Sequence, residues 1–282
     1  MPPRAVLLAH PTKERTMSSL PLQAGRTAFG GNPDSYEAAR PPYPDAVYAA
    51  LRERCTITGA RLFEIGAGTG KATFPLLADR PAQLTAVEPD ARLTRHLADL
   101  AGNDWPMLDI MATSWEEAVL PDGAYDLGFA ATAFHWLPQG EALRKIVRAL
   151  RPGGWWTMWW NVFGDPDAPD AFHQRAGALF RGLRSSPAWA PGRRPFGLDI
   201  DARIADLKQA GFEDPVVDVL RWTIQMDAGQ VRALAATFSE VVNAGEHARQ
   251  KLLDDLTSLV EDEFGGQVER HFVTPMYMAR KP

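Results

Sequence analysis

From residue 60 onward, short apolar runs alternate with amphipathic stretches at a regular spacing. Ala60 to Ile65 is a compact apolar run that ends in Gly66-Ala67-Gly68-Thr69-Gly70. The spacing predicts a helix over Lys71 to Asp79 and a strand over Gln83 to Glu88, closed by Pro89-Asp90. Asp90 is a good N-cap for a helix running to about Leu100. Two further strands are predicted over Trp105 to Met111 and Ala124 to Ala131. Leu143, Ile146, Val147 and Leu150 recur at helical spacing, and Arg151-Pro152-Gly153-Gly154 stops that helix. The run Trp155-Trp156-Thr157-Met158-Trp159-Trp160 is a fifth strand, placing Trp155, Thr157 and Trp159 on one face and Trp156, Met158 and Trp160 on the other. A helix over Ile200 to Ala210, a strand over Pro215 to Thr223 and a last strand over Val268 to Ala279 complete the series.

Strands alternating with helices imply βαβ units and a mostly parallel sheet, covered on both faces. Two stretches break the rhythm. Residues 165–197 hold several prolines and one short helical segment, and residues 227–264 look like two helices between the last two strands. The chain therefore divides into a flexible N-terminal arm (1–25), a helical cap segment (26–58) and a core (59–164). A cap insertion (165–197) precedes a return to the core (198–226), and a helical cap insertion (227–265) precedes the last core strand (266–282).

Composition removes several classes of function. Cys55 is the only cysteine, which excludes a disulfide framework and a Cys-rich zinc site. The net charge of −5 provides no global attraction for nucleic acid. The longest uncharged stretches, 127–140 and 152–164, are too short to span a bilayer, and the apolar patch Ala5 to Ala9 is shorter than the apolar region of a signal peptide. A cytoplasmic protein with no membrane partner, acting as a monomer or homodimer, is expected. Asn161, Asp165, Asp167 and Asp170 lie in a loop whose ordinary role is solvation, so no metal site is expected.

The glycine loop stands where a strand turns into a helix, and absent Cβ atoms let a ligand lie against the backbone there. The dinucleotide fingerprint would need a glycine at Lys71, and a Walker loop would need a different spacing. Instead, Glu64 precedes the first glycine by two residues and Glu88 ends the next strand. A carboxylate at that second position can accept bonds from both hydroxyls of a ribose.

The ordered set Leu62–Gly70, Ala86–Asp90, Gly123–Leu127 and Ala149–Gly154 resembles the class I S-adenosylmethionine-dependent methyltransferases. Tyr36-Glu37-Ala38-Ala39-Arg40-Pro41-Pro42-Tyr43-Pro44, Thr237–Glu240, Phe264–Gly266 and Thr274–Arg280 resemble a small-molecule branch that includes trans-aconitate methyltransferase-like enzymes. The resemblance covers about residues 28–281 and extends to ubiquinone- and menaquinone-type methyltransferases. It implies an α/β, Rossmann-like, doubly wound seven-stranded sheet, mostly parallel with the last strand antiparallel. The cap would be built from the N-terminal segment and the two insertions.

The resemblance also implies roles. Gly66, Ala67 and Gly68 would contact the methionine part of S-adenosylmethionine, Glu64 would orient it, and Glu88 and Pro89 would hold the ribose. Ser114 and Trp115 would border the adenine, with Trp115 stacking on it. Ala131 would offer backbone to the amino group, and Tyr36 and Arg40 would close over the carboxylate. S-adenosylhomocysteine would be the product. His135, just past the fourth strand, is the candidate general base, with packing beside Trp136 as its structural alternative. His135, Trp136, Trp160, Phe163 and Phe238 are candidate linings of a pocket for an apolar small molecule. Methyl transfer to an O, N or C atom of such an acceptor, in secondary metabolism, is the leading function. The same scaffold running non-methylating chemistry such as a pericyclic reaction is the alternative. A nucleic-acid methyltransferase fits less well, because no Asn-Pro-Pro motif follows the fourth strand.

Overall fold

The structure, a computed structural model, describes residues 19–189 and 192–282. Two short helices, α1 (Pro33–Ala39) and α2 (Asp45–Arg54), precede β1 (Arg61–Ile65). The core continues through α3 (Thr73–Leu77), β2 (Gln83–Val87), α4 (Ala91–Ala101), β3 (Leu108–Met111), β4 (Tyr125–Ala131), α5 (Gln139–Ala149) and β5 (Leu150–Trp159). After α6 (Ala171–Ala176) come α7 (Ile200–Gln209), β6 (Glu213–Asp227), α8 (Ala228–Ala236), α9 (Ser239–Val242), α10 (Glu246–Phe264) and β7 (Gln267–Arg280).

The seven strands form one sheet in the order β3-β2-β1-β4-β5-β7-β6. The pairs among β1 to β5 are parallel, and β7 runs antiparallel to both β5 and β6. Chain order reverses direction between β1 and β4, and ligands of open α/β sheets bind beyond the strand C-termini at such a point.

The tryptophan strand is buried in the predicted alternation. Trp156, Met158 and Trp160 join Phe63, Leu143 and Ile146 on the α5 and α7 face, whereas Trp159 joins Val47, Leu76 and Leu97 on the α2, α3 and α4 face. Trp159 stacks on Phe129 at 5.7 Å, and Trp156 on Phe63 at 6.2 Å. A third apolar cluster joins α6, α8 and α10 to the far ends of β6 and β7, through Phe172, Leu234, Leu256, Met226 and Phe272.

Differences from the sequence expectations have local causes. The helix expected from Lys71 begins at Thr73, with Pro75 in its first turn, where a missing N–H costs nothing. β6 runs well past Thr223, because half-exposed alternation continues to Asp227 along an edge strand. The 227–265 insertion holds three helices, since Thr237-Phe238 breaks the chain between α8 and α9. Residues 1–18 of the expected arm lie outside the described residues. Residues 19–25 do not behave as a free arm: Leu20 is buried and its N–H donates to Ser185 O, and a 3-10 turn spans Leu22–Arg26.

Candidate functional site

β1 ends in Glu64-Ile65 and delivers the chain into a loop whose glycines all have positive φ, 72° at Gly66, 57° at Gly68 and 95° at Gly70. Only glycine adopts this without strain. A Cβ on Gly66 would stand 2.5 Å from the Ala133 side chain, whereas one on Gly68 would meet nothing within 4 Å. The loop is thus closed on the β4 side and open at Gly68.

Two carboxyls support it. Glu64 is buried and accepts from Thr73 Oγ1 at 2.6 Å; burial, with Glu88 as a like charge nearby, pushes its carboxyl up to about 8. Glu88 accepts from the N–H of Gly68 and of Asp90, both at 3.0 Å; burial pushes it up to about 7 against those two bonds.

A cavity of about 460 Å³ opens at this loop. Its walls include Tyr36, Arg40, Glu64, Gly66, Ala67, Gly68 and Ala131, bringing together seven of the expected cofactor residues. A carboxyl and a guanidinium in one small cavity suit a zwitterionic amino-acid group, one partner for each charge. Glu88, Pro89, Ser114 and Trp115 do not line it. Beside Glu88 the N-terminal segment packs on Asp90: Arg92 bridges Asp90 to Thr27 O at 2.8 Å, and Gly30 lies so close that a Cβ would be 2.2 Å from Asp90 Oδ2. Ser114 Oγ instead donates to Glu117, at the start of a local turn.

The stacking role expected for Trp115 is corrected by its surroundings. Its ring is 3% exposed, stacks on Phe63 at 5.4 Å and carries the Lys145 ammonium 4.8 Å from its centroid. Trp115 belongs to the apolar core between the sheet and α5.

A second, larger cavity of about 1540 Å³ adjoins the first. His135, Trp136, Trp160, Phe163 and Phe238 all line it, with Phe29, Phe172 and Phe180. Tyr36, Arg40, Thr132, Asn161 and Phe163 belong to both cavities. Arg40 is held there by Thr237, donating from Nε to its Oγ1 and from Nη2 to its carbonyl, both at 3.0 Å, and lies over the rings of Tyr36 and Phe163.

The base role for His135 is also corrected. Trp160 Nε1–H donates to His135 Nδ1 at 3.0 Å, so the lone pair that would take a proton is already engaged. Burial, together with the Arg40 charge, pushes the imidazole down to about 3.

Several residues of the site carried no assigned role in the sequence. Tyr43 donates to Thr132 Oγ1 at 2.9 Å, and Thr132 holds φ 54°, a conformation that costs a β-branched residue energy. Asn161 donates to Pro42 O at 3.2 Å and accepts from Thr274 Oγ1 at 2.7 Å. Glu37 latches α1 to the loop: Lys71 Nζ donates to its Oε1 at 2.9 Å and Thr69 Oγ1 donates to its Oε2. Tyr43 lies in the Tyr-x-x-x-Arg-Pro-x-Tyr-Pro element, a signal that could have found it. Glu240, with its carboxyl raised by burial, also faces the larger cavity. Among the described residues no cluster of His, Cys, Asp or Glu could hold a metal ion, and no helix is long and apolar enough to cross a membrane.

Residues 63–158 match the family model of a methyltransferase domain. A methyltransferase-like protein of Schizosaccharomyces pombe is 34% identical over 131 residues, which is 46% of this chain and 50% of that protein, so the match spans about half the length of this relative. A provisionally assigned type II methyltransferase of Anaeromyxobacter dehalogenans shares the fold with a TM-score of 0.60 at 20% identity, over 86% of this chain and 97% of that one. Phosphoethanolamine N-methyltransferase 2 of Haemonchus contortus, solved with S-adenosylhomocysteine, gives a TM-score of 0.55 at 14% identity, over 90% of this chain and 57% of that one.

Proposed function

We propose that this chain, whose residues 63–158 match the family model of a methyltransferase domain, uses S-adenosylmethionine to methylate an O, N or C atom of an apolar small molecule. The observation that carries this reading is the sharing of Tyr36, Arg40, Thr132, Asn161 and Phe163 between the two cavities. A molecule in the aromatic cavity lies against whatever fills the small one.

When bound, S-adenosylmethionine supplies an electrophilic methyl group on a sulfonium centre. Glu64 and the loop would hold its amino-acid end, Arg40 would face the carboxylate, and Glu88, bonded to the loop at Gly68, would accept from ribose hydroxyls. Trp136, Trp160, Phe163 and Phe238 exclude water and orient the acceptor. Positioning of this kind is worth about 7–11 kcal/mol in favourable cases, enough to dominate catalysis when the leaving group is already good. No base of ordinary strength at His135 is required, which fits acceptors that ionise easily or are already nucleophilic. The net charge of −5 speaks against nucleic acid as a partner.

The test is incubation with S-adenosylmethionine and a panel of aromatic and apolar acids, phenols and amines, followed by mass spectrometry. A product heavier by CH2, formed together with S-adenosylhomocysteine, is expected. A rearranged product of unchanged mass would instead assign the fold to non-methylating chemistry.

A further inference from the structure

We propose that His135 is a donor-only anchor, its tautomer set by Trp160, and that it selects methyl acceptors bearing an oxygen acceptor such as a ketone or carboxylate. The proposal rests on the methyltransferase reading above and names the substrate class of that site.

An indole nitrogen carries a hydrogen and offers no lone pair, so it can only donate. Trp160 Nε1 lies 3.0 Å from His135 Nδ1, and this contact is a hydrogen bond only if Nδ1 is bare. A neutral imidazole carries one N–H, which must then be on Nε2. The pair is rigidly packed. His135 is 5% exposed and Trp160 is 3% exposed; Trp136 and Phe196 flank the imidazole at 5.3 and 6.1 Å, and Phe196 also packs on Trp160 at 5.4 Å. Burial and the nearby Arg40 guanidinium keep the ring uncharged.

His135 lines the larger cavity, and its Nε2 has no hydrogen-bond partner among the described residues. The side chain therefore presents one uncharged donor, beside Trp136 and Trp160, to a cavity that the charged Arg40, Arg193 and Arg270 also line. A hydrocarbon placed against it strips water from Nε2–H and returns nothing. A carbonyl or carboxylate oxygen returns the bond. In the transfer step, the new bond forms between the acceptor atom and the methyl carbon as the carbon–sulfur bond breaks. His135 neither gains nor loses a proton.

Two readouts test this. Nitrogen NMR of the unsubstituted protein, with labelled histidine and no cofactor, should show Nδ1 bare and Nε2 protonated. A His135 protonated on Nδ1 overturns the proposal. The second uses the matched probes 1-tetralone and tetralin, which share a frame but differ in the carbonyl, titrated into protein saturated with S-adenosylhomocysteine. The ketone should bind about two- to tenfold more tightly, the range of one neutral hydrogen bond. His135→Phe should remove that preference, read as the ratio of the two affinities within the variant. Equal affinity for both probes in the unsubstituted protein, or no binding of the ketone, overturns the proposal. Should His135→Phe not fold, the spectrum and the probe pair on the unsubstituted protein still decide. Failure of S-adenosylhomocysteine itself to bind would reject the methyltransferase reading instead, and leaves the tautomer measurement standing as a separate result.

Discussion

The N–H of Gly68 donates to Glu88 Oε2 at 3.0 Å, tying the open point of the glycine loop to the end of β2. Asp90 N–H takes the other oxygen at 3.0 Å. The carboxyl is thus fixed by two backbone donors, and its remaining lone pairs are those that ribose hydroxyls would meet under the proposed function. Glu88→Ala should weaken S-adenosylhomocysteine binding at least tenfold, since bonds to a charged acceptor contribute about 1.5–3 kcal/mol each. Calorimetry measures it; an affinity within twofold would remove Glu88 from the ribose site.

The buried carboxyls make the unliganded protein pH-sensitive in a definite direction. Glu64 titrates at about 8 and Glu88 at about 7, both above their ordinary value, so the folded state holds these protons more tightly than the unfolded chain. Their stabilising contribution is complete below the ordinary carboxyl value of 4.5 and is lost as the pH rises through 7 and then 8. Glu64→Gln should therefore raise the unliganded Tm at about pH 8.5 and leave it nearly unchanged at about pH 5. His135 has the opposite sign: its contribution is complete above its ordinary 6.5 and is lost as the pH falls toward 3. Equal Tm shifts for Glu64→Gln at both pH values would mean that Glu64 is not a buried, proton-retaining group.

Trp115 separates a core role from a cofactor role. Trp115→Phe removes ring area stacked on Phe63 and should cost about 1–3 kcal/mol in denaturant unfolding. Binding of S-adenosylhomocysteine should stay within twofold. A tenfold loss of affinity without loss of stability would return the ring to the adenine site.

Gly128 is constrained by packing rather than by turn geometry. A Cβ there would lie 2.1 Å from Phe63 Cζ, inside β4. The Phe63 ring cannot step aside, because Trp115, Tyr125 and Trp156 enclose it at 5.4, 5.2 and 6.2 Å. Gly128→Ala should destabilise the protein by about 1–3 kcal/mol, read as a lowered Tm. An unchanged Tm would show that the aromatic stack has room to move.

The sheet was legible because β1 runs into the glycine loop, β2 stops just before Pro89, the tryptophan strand is a continuous apolar run, and Asp90 caps α4 as its position implied. The edge strand β6 was read short, since its outer half alternates Arg221-Trp222-Thr223-Ile224-Gln225 and mimics an exposed loop. The residues brought together in the smaller cavity were legible too, as most of them are local to α1, β1 with its glycine loop, and β4. Side chains whose roles are set from afar were not. Trp115 sits among Ser114, Glu116 and Glu117, a polar context that hides its partner Phe63, 52 positions earlier in the chain. The proton of His135 is placed by Trp160, 25 residues away. Arg40 meets Thr237 at a separation of 197 residues. Hydrophobic period records which face a residue occupies, but not which lone pair is already taken when it gets there.

The ladder between β6 and β7 runs from Glu213 opposite Arg280 to Asp227 opposite Gln267. Everything from α8 through α10 leaves the sheet at Asp227 and rejoins it at Gln267, one strand spacing away. In topological terms those helices are an oversized hairpin loop, and lengthening such a loop costs only about 0.6 kcal/mol per doubling. This part of the cap is therefore a candidate cassette: a graft between Asp227 and Gln267 would replace Phe238, Glu240 and the Thr237 anchor of Arg40, while leaving the glycine loop and the carboxyls beneath it in place.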